Sequence, residues 1–141
     1  MADHEIRSLF AQDIERRIEE VIKVDQTDEG IVRDEIREYV VTDAIQRSFN
    51  GLLDRYLETP NKPHEGIGVW VSGFFGSGKS SFAKYLGLGI ENRPLQGAAA
   101  ASLLRERFRD NKASVLLQTI NERIPTHVVI FDVSSQRGIR A

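Results

Sequence analysis

The stretch GVWVSGFFGSGKSSF, residues 68–82, constrains this chain more than any other part of it. Gly73, Gly78, Lys79 and Ser80 satisfy G-x-x-x-x-G-K-[ST], and the motif falls between the apolar run Val69, Trp70 and Val71 and a segment of helical spacing. A run apolar at successive positions is expected of a strand covered on both faces. Between a strand and a helix, the motif reads as a phosphate-binding loop. Triphosphate oxygens have to be wrapped closely, and Gly73, Gly76 and Gly78 give the backbone the freedom to aim successive N–H groups inward. The N-terminus of the following helix adds partial positive charge, Lys79 reaches the β and γ oxygens, and the Ser80 hydroxyl offers a ligand to Mg²⁺. Phe74, Phe75 and Ser77 complete the loop, and Ser81 adds a contact to the α-phosphate. Phe74 and Phe75 are expected to hold the loop against its neighbours and Trp70 to lie in the core.

The rest of the chain is read around that loop. Phe10, Ile14 and Ile18 predict a helix to about Glu19, with Val21 and Ile22 leaving it as a short strand. QTDEG, residues 26–30, reads as a loop, and EIREYVV fits helix or strand equally well. Thr42 is placed as an N-cap for the clearest amphipathic helix, carried by Ile45, Phe49, Leu52, Leu53 and Tyr56 and stopping before Pro60. TPNKPHEG then marks a linker. After the glycine loop, Phe82, Tyr85 and Leu86 share a helical face that is expected to end near Gly87 or Gly89. Two more helices are predicted, about Ala98–Arg109 and Ala113–Arg123, and THVVIFDV, residues 126–133, reads as a second buried strand. Strand, helices, strand is a βαβ pattern with crossovers long enough for parallel pairing. The expected fold is therefore α/β, a partial parallel sheet flanked by helices, with a mainly helical extension over residues 1–60 and the nucleotide-binding unit over 61–141.

Asp132 ends the run VVIF in the manner of a Walker B strand, but Val133 follows where many ATPases place a water-activating glutamate. Asp132 is either the acid associated with the metal or the end residue of a neighbouring strand. With 141 residues, the chain suits one compact domain plus an appendage. Nineteen basic against twenty-one acidic residues leave a net charge of -2, so no global basic field points to nucleic acid or an anionic membrane. The absence of cysteine excludes disulfides and thiolate metal sites and fits a reducing cytosol. His4, His64 and His127 lack ligand spacing, no window reaches the length of a membrane span, and a soluble cytoplasmic protein is expected. RERFRDNK, residues 105–112, interleaves acids with its arginines and reads as a solvated helix face, while Arg137 and Arg140 are candidates for fingers in a homo-oligomer.

The segments ERRIEEVIKVDQ, EIREYVVTDAI and above all GVWVSGFFGSGKSSFAKYLG, within residues 5–89, resemble the amino-terminal region of the BrxC/PglY-type P-loop ATPases of bacteriophage exclusion (BREX) defence systems. That resemblance implies an AAA-like P-loop NTPase core belonging to a protein several times longer, with ATP and Mg²⁺ as cofactors. It also implies other BREX components as partners, phage DNA touched indirectly, and a role in discriminating foreign DNA. Gly73, Gly76, Gly78, Lys79 and Ser80 carry over residue by residue; the strand matching VVIFDV can be an early core strand, which leaves Asp132 open. Lys79 and Asp132 are the catalytic candidates, and Ser80 and Asp132 the metal ligands. Two other readings compete. A small-molecule P-loop kinase would use Asp132 on its substrate, but no arginine-rich lid follows; a nucleotide-gated interaction module would bind ATP without turnover of its own. A GTPase is disfavoured because N-K-x-D is missing, Asn61-Lys62 being followed by Pro63-His64.

Overall fold

The computed structural model describes residues 6–10, 14–15, 23–62 and 68–131. Helical residues make up 58% of them, and the ladder pairing is confined to one two-stranded antiparallel sheet. Capping chemistry sets where the helices begin. Asp28 accepts from the Gly30 and Ile31 amides at 2.9 and 3.1 Å and opens α1, Glu29–Glu38, so Glu29 and Gly30 belong to a helix and not to the loop expected over 26–30. Thr42 accepts from the Ile45 amide and opens α2, Asp43–Leu57, as its spacing predicts. After a 3-10 turn over Thr59–Asn61 and the glycine loop comes α3, Lys79–Glu91. Its C-cap Asn92 adopts a left-handed conformation, the Arg93 amide reaches back to the Leu88 carbonyl, and Asn121 donates to the Gly89 and Ile90 carbonyls.

α3 runs through Gly87 and Gly89, where an end is expected from the sequence. Both glycines are instead sites of close approach: a Cβ at Gly87 would stand 2.9 Å from Val128 Cγ1, and one at Gly89 2.9 Å from Leu104 Cδ2. The chain then forms the hairpin β1, Pro94–Leu95, and β2, Ala98–Ala99, pairing Pro94 with Ala99 and Leu95 with Ala98. Gln96 and Gly97 both carry positive φ, the requirement of a two-residue primed turn. α4, Ala100–Arg105, and α5, Asn111–Arg123, complete the order, the second capped by Asp110.

The core draws on every helix: Val32 and Ile36 of α1, Phe49 and Leu53 of α2, Tyr85 and Leu88 of α3, Leu103 and Leu104 of α4, and Leu117 and Ile120 of α5. Residues from both sides of the expected boundary at 60/61 thus share one cluster. Asp110 ties α2 to the start of α5, accepting from Gln46 and Asn50. Lys84, 1% exposed, ties α3 to α1 and to the segment before it, with Nζ 2.7 Å from Glu35 Oε2 and 2.8 Å from the Lys23 carbonyl.

The expected parallel sheet is overturned. Neither 68–72 nor 126–131 is a strand, and the α/β P-loop NTPase core, AAA-like or otherwise, is not what the described residues form. An apolar run reports what a segment can bury, not that a neighbouring strand is there to take its backbone groups. The two runs lie against different parts of α3: residues 69–73 face the cleft shared with Lys79 and Phe82, whereas Val128 and Ile130 rest on Gly87. Val128 gives its backbone polar groups to side chains, its N–H to Glu91 and its C=O to Arg93, in place of a ladder. Trp70, expected in the core, is 91% exposed, and Phe74 and Phe75, expected to brace the loop, are open to solvent.

Candidate functional site

The loop is shaped by its glycines. Gly76 and Gly78 have φ of 76° and 81°, in the left-handed region that side chains disfavour, and Gly78 is the N-cap of α3. Gly73 serves through space: a Cβ there would stand 2.7 Å from Ser77 Oγ. Two hydrogen bonds close the turn, the Ser77 amide to the Phe74 carbonyl at 3.2 Å and Lys79 Nζ to the same carbonyl at 2.7 Å. The ammonium group is therefore folded back over the loop, with Ser77 Oγ at 3.5 Å. Ser80 is exposed on the first turn of α3, and Ser81 is half-buried beside Tyr85.

Gly73, Phe74, Ser77, Gly78 and Lys79 open onto a cleft of about 620 Å³. Its opposite wall is α2, which presents Ile45, Arg47, Ser48, Gly51, Leu52 and Arg55, and Phe82 forms part of the floor. No Asp or Glu is among the lining residues. The α2 residues escape a motif search because they lie 18 to 28 positions before Gly73, the start of the loop. Arg47, Gly51 and Arg55 recur at steps of four on the helix, apart from the buried Phe49 and Leu53, but that spacing does not record that their face meets the loop.

The structure therefore gathers Gly73, Phe74, Ser77, Gly78 and Lys79 around one cavity, while Phe75, Gly76, Ser80 and Ser81 are not among its lining. Asp132, Arg137 and Arg140 lie outside the described residues, as do His4 and His64. His127 stands 3.1 Å from Glu91, far along α3 from the loop. Among the described residues no three His, Cys, Asp or Glu side chains gather as a metal site, and no helix is long and apolar enough to cross a membrane.

Two phenols near α3 titrate abnormally. Burial pushes Tyr39 up to about 12, and burial, aided by the Glu35 charge, pushes Tyr85 higher still. Their rings meet edge to face with centroids 4.8 Å apart. In contrast, hydrogen bonding, first from Asn50, holds the Asp110 carboxyl below its usual value.

No family model matches the chain, and no solved structure matches it.

Proposed function

We propose that this chain binds ATP with Mg²⁺ at residues 73–81, as the amino-terminal part of a large BREX phage-defence ATPase that couples ATP to the discrimination of foreign DNA. The observation that carries the nucleotide reading is the placement of Lys79. Its ammonium stands at the start of a 13-residue helix, over a loop with two left-handed glycines, at the mouth of a cleft of about 620 Å³. That volume lies in the range of about 300–1,000 Å³ usual for small-ligand sites. Lys79, which donates to the Phe74 carbonyl, would hold a phosphate oxygen in its place, and the amides of the first turn of α3 would add to the same charge. The link to phage defence rests on the sequence segments quoted above, and with it come the other components of such a system as partners.

The chemistry of Ser80 fits the metal: an exposed hydroxyl one residue after the lysine is a hard oxygen donor for an ion that keeps most of its shell from water and phosphate. When bound with the nucleotide, Mg²⁺ neutralises charge on the β and γ oxygens. The residues of this chain hold the phosphates and supply one hydroxyl. Among the described residues the cleft is lined by no carboxylate, and the role these residues support is nucleotide binding.

Thermal denaturation with and without MgATP tests the reading. Saturation at about 100 times the dissociation constant stabilises the wild type by about 2.7 kcal/mol, and Lys79→Ala loses most of that gain. Ser80→Ala keeps binding in EDTA and loses the magnesium-dependent part. An equal response of wild type and Lys79→Ala to MgATP overturns the assignment.

A further inference from the structure

Gly51 lies in the interior of α2, where glycine is disfavoured relative to alanine, and nothing in its surroundings asks for it. A Cβ built there meets no atom within 4 Å, and its backbone is ordinary right-handed helix. The contrast with Gly87 and Gly89, each with a side-chain atom 2.9 Å from where a Cβ would be, is direct. The space that Gly51 leaves open is part of the cleft on the phosphate loop. One helical turn to either side stand Arg47 and Arg55, both lining the same cleft and neither with an acidic partner among the described residues. Ile45, Leu52 and Phe82 add apolar surface between the two walls. A flat apolar body joined to a polyanion matches this arrangement.

Resting on the nucleotide reading above, we propose that the bare backbone at Gly51 is the platform for the nucleoside: base and ribose lie across α2 between Arg47 and Arg55 while the phosphates occupy the loop. The glycine keeps the wall low enough for a ring to approach, and the two guanidinium groups supply planar faces and positive charge to either side. The part of the ligand that α2 reads is then the part that inorganic phosphate chains lack.

Calorimetric titration of the full chain with MgATP and, separately, with magnesium tripolyphosphate decides it. Gly51→Leu, whose side chain enters the open cleft, raises the dissociation constant for MgATP by about tenfold or more and leaves that for tripolyphosphate within about twofold. Ser48→Leu, three residues earlier in the same wall, gives the same selective loss and guards against a folding defect peculiar to one variant. Both variants melt no lower than the wild type by circular dichroism. Equal weakening of both ligands, or of neither, overturns the platform while leaving the loop assignment intact. A wild type that binds neither ligand overturns the nucleotide reading itself, and the platform falls with it.

Discussion

Three glycines of this chain make opposite forecasts from the same missing methyl. At Gly78, φ of 81° means that any side chain is strained, so Gly78→Ala destabilises the fold by about 1–2 kcal/mol. At Gly51 the backbone is helical and the space is open, so Gly51→Ala stabilises the ligand-free chain by about 0.5–1 kcal/mol. Urea denaturation of the two variants beside the wild type checks both signs; a loss at Gly51 would show that its environment is tighter than described. Gly73 differs from both, since a methyl there presses on Ser77 Oγ and moves the hydroxyl that neighbours Lys79. The loop glycines were legible in the sequence because the motif spacing names them. Gly51 was not, because a glycine inside a helix announces itself only when its surroundings are seen.

Among the elements, helices were read well where a side chain caps them. Thr42 and the periodicity after it placed α2 correctly, since cap and apolar stripe are both local. α1 was ambiguous because EIREYVV mixes helix formers with β-branched residues, and Asp28, the cap that decides it, was assigned to a loop. Of the hairpin at Pro94–Ala99, the second strand, Ala98–Ala99, was read as the start of a helix, although Gln96-Gly97 marks the turn before it. Lys84 was invisible as a core residue because a charged side chain is buried only when a distant partner, here Glu35, meets it. That tie is costly to break: Glu35→Ala leaves the lysine buried beside one carbonyl and destabilises the chain by about 3–5 kcal/mol, measured by chemical denaturation. The same helix pair sets an alkaline limit. Tyr39 and Tyr85 titrate higher folded than the value of about 10 expected unfolded, so the folded chain resists ionisation that the unfolded chain accepts. Their contribution is complete below pH of about 10 and is lost as pH climbs from there toward 12. Helical circular dichroism against pH follows the loss, and Tyr85→Phe moves its onset upward.

At the scale of the molecule, the helices expected after Thr42, after the glycine loop and over Ala113–Arg123 are present and the parallel sheet is not, while the helix expected to about Glu19 and the short strand after it lie largely outside the described residues. Pairing two apolar runs, 68–72 and 126–131, requires them to meet, and nothing local records that one lines the cleft while the other covers Gly87. The glycine loop was legible without the sheet because the residues that set its left-handed turns lie close together in the chain. The α2 wall needed tertiary structure.

The exposure of Trp70 makes the molecule its own optical probe. It is the single tryptophan of the chain, 91% exposed and on the rim of the cleft. Its emission in the free protein resembles that of indole in water, so unfolding leaves the wavelength almost unchanged while circular dichroism collapses. A ligand entering the cleft changes the solvation of the ring, and MgATP therefore shifts or quenches an emission that urea hardly moves. A large red shift on denaturation would place the indole in the interior and contradict the open rim. With the signal blind to folding, a fluorescence titration reads occupancy of the cleft directly.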